Sequence, residues 1–268
     1  MKSNKLTAVV FDWAGTIVDY GCCAPTKAFM NLFNEHDVPI TAEEVRQFMG
    51  LHKRDHIKGI LGLPRVAHAW MSIRKKEPNL QDIEQLFHQF VPLQIRELEH
   101  TKLIPGTKKT VEACRNMGLK IGTCTGYTKV MMEALVHAAQ REGFEPDAIV
   151  CSDEVPLGRP SPFMCFENAM RLGVYPMESM LKVGDTPEDI KEGLNAGMWT
   201  VGLARTGNLL GLTQQEDEQL SAEDRNHLLG QARATLASAQ AHFVVDSVED
   251  ILSVIDEIHK KLSLGERP

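Results

Sequence analysis

At 268 residues, with 43% hydrophobic and 24% charged content, the chain is long enough to bury a full core and has the make-up of an ordinary globular protein. Its formal charge of −7 excludes a nucleic-acid-binding footprint, which needs a clustered basic surface; Arg74-Lys75-Lys76 reads as a solvated helix face. No apolar run approaches the roughly 20 residues that span a bilayer.

Lys2 and Lys5 precede a short apolar run that leads straight into Asp12, so no secretory signal is expected. Cys22, Cys23, Cys114, Cys124, Cys151 and Cys165 have neither zinc spacing nor a Cys-x-x-Cys pair. Reduced thiols packed as small hydrophobes, and hence a cytoplasmic setting, are the expectation.

In chain order, Leu6 to Phe11 reads as a buried strand that stops at Asp12-Trp13-Ala14-Gly15-Thr16. Helical spacing then runs without a strand through Ala24–His36, Thr41–Met49, Lys53–Leu61, Pro64–Lys76 and Leu80–Glu99, with Gly and Pro as punctuation. Thr41 and Glu44 form a capping box. From Pro105 helix and strand alternate: helix Thr107–Met117, strand Leu119–Cys124, helix Lys129–Arg141, strand Ala148–Cys151, helix Pro160–Leu172 and strand Met180–Val183. Pro187 starts a further helix that Gly197 stops, and Thr200–Leu203 and Phe243–Val245 are strands. The polar stretch Thr213–Ala241 reads as mostly helical and Val248–Leu262 as a last amphipathic helix. This pattern predicts a Rossmann-like doubly wound parallel sheet, an α/β core of residues 1–19 and 101–268, with residues 20–100 inserted as a helical cap domain.

In open α/β sheets ligands bind beyond the carboxyl ends of the strands, so Asp12 either projects into such a crevice or caps the turn after its strand. Three further positions are expected to converge with it at strand ends: Thr125-Gly126, Arg159 and Asp185. Each has a plainer reading, as a strand-ending turn, a surface arginine or a turn residue. Asp189 fits a capping arrangement with Thr186 as N-cap. If residues 49–56 are helical, Met49, Lys53 and His56 fall at i, i+4 and i+7 and share one face.

Asp-x-x-Gly-Thr after an N-terminal apolar strand resembles the first motif of the haloacid dehalogenase superfamily, and the later motifs match in order over nearly the whole chain. Phosphatases of that superfamily carry a second Asp where this chain has Ala14. With Asp19-Tyr20-Gly21-Cys22 and Met49-Gly50-Leu51-His52-Lys53-Arg54-Asp55-His56, the sequence resembles the phosphonoacetaldehyde hydrolase branch, which breaks a carbon–phosphorus bond. The resemblance implies Asp12 as nucleophile, Lys53 as Schiff-base amine and His56 as proton shuttle. It implies Thr125, Gly126 and Arg159 as holders of the phosphoryl group, and Cys22, Met49 and Tyr127 as pocket residues. It implies Mg²⁺ held by Asp12, the Ala14 carbonyl and Asp185, and a homodimer formed through the cap; Asp189, behind the metal ligands, either holds the helix end, orients metal-bound waters, or does both.

Chemistry links two of these positions. A carbon leaving group needs somewhere to put its bonding electrons, and an iminium formed between Lys53 and an aldehyde provides it. The acid missing at Ala14 is then not needed. The competing readings are a Mg²⁺-dependent phosphatase or phosphomutase acting on a small phosphate ester, and a catalytically idle interaction module that keeps the fold.

Overall fold

The computed structural model describes residues 5–268. Lys2, and with it the start of the 1–19 segment, lies outside the described residues. Strands β1 (Ala8–Phe11), β2 (Lys120–Thr125), β3 (Ala148–Cys151), β4 (Met180–Gly184), β5 (Trp199–Leu203) and β6 (Phe243–Val245) form one sheet in the order β3-β2-β1-β4-β5-β6. Every pairing is parallel. Such a sheet must be covered on both faces, which is why β1 and β4 are buried along their whole length.

β1 pairs with β2 on one side, Val9 opposite Ile121, and with β4 on the other, Val9 opposite Leu181. The strand order reverses between β1 and β4, so the connections leaving their carboxyl ends diverge and open a crevice. Asp12 and Asp185 each follow directly on one of these two strands.

Between residues 23 and 98 the chain forms five helices and, among the described residues, no strand: α1 (Cys23–Glu35), α2 (Ala42–Arg46), α3 (Lys53–Gly62), α4 (Pro64–Arg74) and α5 (Leu80–Leu98). α1 and α5 pack together, with Phe29 and Phe90 stacked at 4.2 Å between ring centroids. The apolar cluster containing them runs on to Trp13, Phe11 and Val183 at the sheet, so helices and sheet share buried surface. The remaining helices are α6 (Thr107–Asn116), α7 (Lys129–Arg141), α8 (Phe163–Leu172), α9 (Pro187–Asn195), α10 (Gln214–Gln219), α11 (Ala222–Ser238) and α12 (Ile251–Ser263).

The differences from the sequence expectations have local causes. α2 has its capping box at Thr41 but stops at Arg46, because the chain must turn through Gly50 at φ +90° to re-enter the cleft. The helix expected from Pro160 begins at Phe163, since Pro160 and Pro162 have no N–H to give and Pro162 sits at the N-cap. The polar stretch breaks at Leu220-Ser221, where the Ser221 hydroxyl accepts the Asp224 N–H at 3.0 Å and starts α11 afresh.

Candidate active site

A cleft at the carboxyl ends of β1, β2 and β4 is lined by Asp12, Ala14, Thr125, Gly126, Arg159 and Asp185 from below. Met49, Gly50 and Lys53 close it from the side of the helices, and Tyr127, from the turn after β2, completes the lining. The approach is tight at Gly126: a Cβ there would lie 2.6 Å from the Leu51 carbonyl oxygen, so only glycine lets the two layers meet. Thr125 Oγ1 accepts the Tyr127 N–H at 3.1 Å, and Gly126 O accepts the Ser152 hydroxyl at 3.0 Å, which fixes the turn after β2.

The floor is a buried charge network. Asp12 Oδ1 accepts Arg159 Nη2 at 2.7 Å. The same guanidinium lies 3.1 Å from Asp189 and, through Nε, 2.9 Å from Glu192, and it donates to the Cys124 carbonyl at 3.0 Å. Lys182 Nζ lies 2.5 Å from Asp189 Oδ1. These side chains are almost fully buried, and each buried charge is stable only because it is paired. Arg159 is not at a strand end. β3 stops at Cys151, and the loop that follows carries the guanidinium under Asp12, where a fork with several donors can reach three carboxylates.

Asp185 Oδ2 accepts the Asn208 N–H at 2.7 Å and the Cys22 thiol at 3.4 Å, while its Oδ1 is buried with no hydrogen-bond partner. Burial pushes the Asp12 carboxyl up to about 6 against the pull of Arg159. Burial, helped by Asp12, pushes Asp185 up to about 8. For Asp189 burial acts upward too, but Arg159 and Lys182 outweigh it and hold the carboxyl below its usual range. One oxygen from each of the three carboxylates lies within 4.8 Å of the others, a set that can hold a metal ion. An all-oxygen donor set with an unpartnered oxygen, in which Asp12 and Asp185 are both pushed up by burial, fits a hard divalent cation, whose charge would offset the cost of keeping those carboxylates ionised. Both Asp189 oxygens are already engaged, Oδ1 by Lys182 and Oδ2 by the Thr186 hydroxyl at 2.6 Å, so the metal face belongs to Asp12 and Asp185.

Lys53 is the first residue of α3, 3% exposed, with Nζ 4.9 Å from the Tyr127 ring centroid and 5.8 Å from that of Phe29. It has no ion pair among the described residues. Burial pulls its ammonium down to about 8, so at neutral pH roughly a tenth of it is free amine.

Three further sequence-derived positions sit differently from the expectation. Met49 precedes α3 and reaches the cleft from the turn through Gly50, so it shares no helical face with Lys53. His56 does not line the cleft. Its Nε2 donates to the Val45 carbonyl at 2.8 Å, its ring lies 4.1 Å from that of Phe29, and burial drives its protonation well below the usual range. This ring is a neutral wall behind Lys53. Cys22 likewise touches Asp185 and is not in the cleft lining. Sequence reading gave Gly50 and Thr186 no place in the cleft, and it left out Lys182 and Glu192. Lys182 carried a signal, since a lysine inside the apolar strand Met180–Gly184 requires a buried partner.

A model of haloacid dehalogenase-like hydrolases matches residues 6–197. A phosphonoacetaldehyde hydrolase of Syntrophobacter fumaroxidans is 47% identical over 267 residues, covering 99% of this chain and 96% of its own. One of Bacillus cereus is 43% identical over 258 residues, covering 96% and 98%. Among solved structures, a phosphonoacetaldehyde hydrolase-like protein from Oleispira antarctica superposes with a TM-score of 0.97 at 39% identity, covering 98% of this chain and 96% of that one. A hydrolase from Pseudomonas syringae, at TM-score 0.70 and 19% identity, shares the fold.

Proposed function

The chain belongs to the haloacid dehalogenase-like hydrolase family, and from that premise we propose that it hydrolyses the carbon–phosphorus bond of phosphonoacetaldehyde to acetaldehyde and phosphate. The observation that carries this reading is the buried Lys53, without an ion pair among the described residues, facing the same cleft as Asp12, with Ala14 where an ester-cleaving relative needs an acid. The names of the full-length relatives support it.

Lys53 condenses with the aldehyde, losing water, to give an iminium. Asp12 then attacks phosphorus; the P–C bond breaks, its electron pair passes to the iminium and an enamine leaves. Water hydrolyses the aspartyl phosphate, and after protonation at carbon the imine is hydrolysed to acetaldehyde. Arg159 holds Asp12 and offers positive charge to the phosphoryl oxygens, while the Gly126 N–H and the Thr125 hydroxyl orient the group. Asp12, Asp185 and the Ala14 carbonyl would hold Mg²⁺, which when bound screens the anionic substrate from the anionic nucleophile. With His56 walled in, the Tyr127 ring packs 4.9 Å from Lys53 Nζ and its buried hydroxyl has no hydrogen-bond partner among the described residues, which makes it a candidate to pass protons at the amine. A place in 2-aminoethylphosphonate breakdown follows if a transaminase supplies the aldehyde. The six free cysteines support a reducing cytoplasm, and a homodimer formed through the helical region is part of the same reading.

Phosphonoacetaldehyde should yield acetaldehyde and phosphate in equal amounts, whereas small phosphate esters should not turn over. Turnover of esters alone would reverse the assignment. Since the free amine is the reactive form, imine formation should rise with pH and level off above about 8, not continue toward 10.5. Borohydride trapping against pH measures this. Chelation of divalent cations should stop phosphate release while the trappable Lys53 adduct remains, because the amine needs no metal.

A further inference from the structure

The polar stretch from Thr213 contributes no residue to the lining of the cleft, yet its first helix is firmly fixed. The Asp217 carboxylate of α10, fully buried, accepts the Tyr20 hydroxyl at 2.5 Å, Arg205 Nε at 2.7 Å and Arg225 Nε at 3.1 Å. This pins α10 and α11 against Tyr20, at the foot of the helical region. The loop before α10 is fixed to the sheet as well. The Thr206 hydroxyl donates to Gly15 O at 2.8 Å, Thr206 O accepts the Gly21 N–H at 2.8 Å, and the Asn208 N–H orients Asp185.

Arg46, the last residue of α2, is clasped by this loop. Its Nη1 donates to Gly21 O at 2.8 Å and its Nη2 to Gly211 O at 2.6 Å, while its own carbonyl accepts Asn208 Nδ2 at 3.1 Å. Gly211 stands at φ +65°, and a methyl group there would overlap the guanidinium. The planar guanidinium has donors pointing in two directions and so spans two carbonyls, which a lysine ammonium at the end of a single stem does less well. Arg46 lies just before Met49, Gly50 and Lys53, the residues that enter the cleft from above. We infer that Arg46 and the loop of residues 204–213 form a catch that holds the helical region closed, making Arg46 a positioning residue for Lys53 over the Asp185 side of the cleft. The role of Lys53 rests on the reaction proposed above; the catch itself does not.

The test is the rate at which trinitrobenzenesulfonate labels Lys53, followed by peptide mass mapping without substrate. Loss of these charge-assisted hydrogen bonds in Arg46→Ala should raise labelling of Lys53 roughly tenfold. Lys182, buried beneath the sheet's charge network, should label no faster than in the wild type. Guanidinium ion should slow Lys53 labelling back toward the wild-type rate, and Arg46→Lys should fall between. Gly211→Ala, which keeps Arg46 but displaces it, should reproduce the effect. Unchanged Lys53 labelling, a rise that guanidinium does not reverse, or a parallel rise at Lys182 would overturn the catch. A protein that shows the labelling differences but does not cleave the phosphonate refutes the proposed reaction and leaves the catch standing.

Discussion

Lys53→Met is expected to abolish phosphonoacetaldehyde cleavage, by roughly four orders of magnitude or more, while making the protein harder to unfold. The activity loss follows from the leaving group: without an imine, the carbon leaving phosphorus must keep an electron pair that no residue in the cleft can take. Borohydride should then give no adduct in the variant and a single adduct at Lys53 in the wild type. The stability gain follows from burial. Lowering of the ammonium from 10.5 to about 8 corresponds to roughly 3 kcal/mol of unfavourable charge burial. Below pH 8 both folded and unfolded lysines are protonated and the fold bears this in full; between about 8 and 10.5 it fades, as only the unfolded chain stays charged. At pH 7 the Met variant, similar in volume and uncharged, should therefore have a higher denaturant midpoint, and the difference should shrink toward pH 10. A variant that still cleaves the phosphonate, or that is much less stable at pH 7, contradicts the assignment.

Asp12→Asn should be as damaging to turnover, again by roughly four orders of magnitude or more, but should stop the reaction at a different point. The carboxamide oxygen can still accept Arg159 Nη2, and Arg159 keeps Asp189 and Glu192, so the fold should persist. Without a carboxylate nucleophile no phosphoryl adduct can form on residue 12. The imine at Lys53 should still form and remain trappable, because the amine belongs to the other layer of the site. Mass spectrometry of acid-quenched enzyme separates the two steps: phosphoryl adduct on Asp12 in the wild type, Lys53 adduct alone in the variant. Phosphate release above about 1% of the wild-type rate would remove Asp12 from the nucleophile's role.

The two variants draw on parts of the chain that were legible to different degrees. Asp12 could be read because β1 is a short, wholly apolar strand, and a carboxylate that ends such a strand has few places to go. Asp185 follows β4 in a similar way, but β4 contains Lys182 and the carboxylate reads by itself as a turn residue, so its place came from the resemblance. Lys53 was read through a resemblance, since a lysine in a charged run looks the same from its neighbours whether it faces water or is 3% exposed. Helical spacing puts His56 on the buried side of α3 with Lys53, where both approach Phe29, but the Val45 carbonyl, eleven residues away, is what captures its ring.

By itself, the sequence determined the alternation of buried strands and helices, the insertion of helices after β1, and the carboxylates at two strand ends, because these depend on local periodicity, caps and turns. Only the tertiary structure decided which charges share a partner, that Arg159 arrives from a loop and serves three carboxylates, that Lys182 and Glu192 complete the network, and that Lys53 is buried. The reason is physical. Desolvation and pairing of charge are set by everything within a few ångströms, and those neighbours come from distant positions along the chain, 147 residues apart in the contact between Arg159 and Asp12.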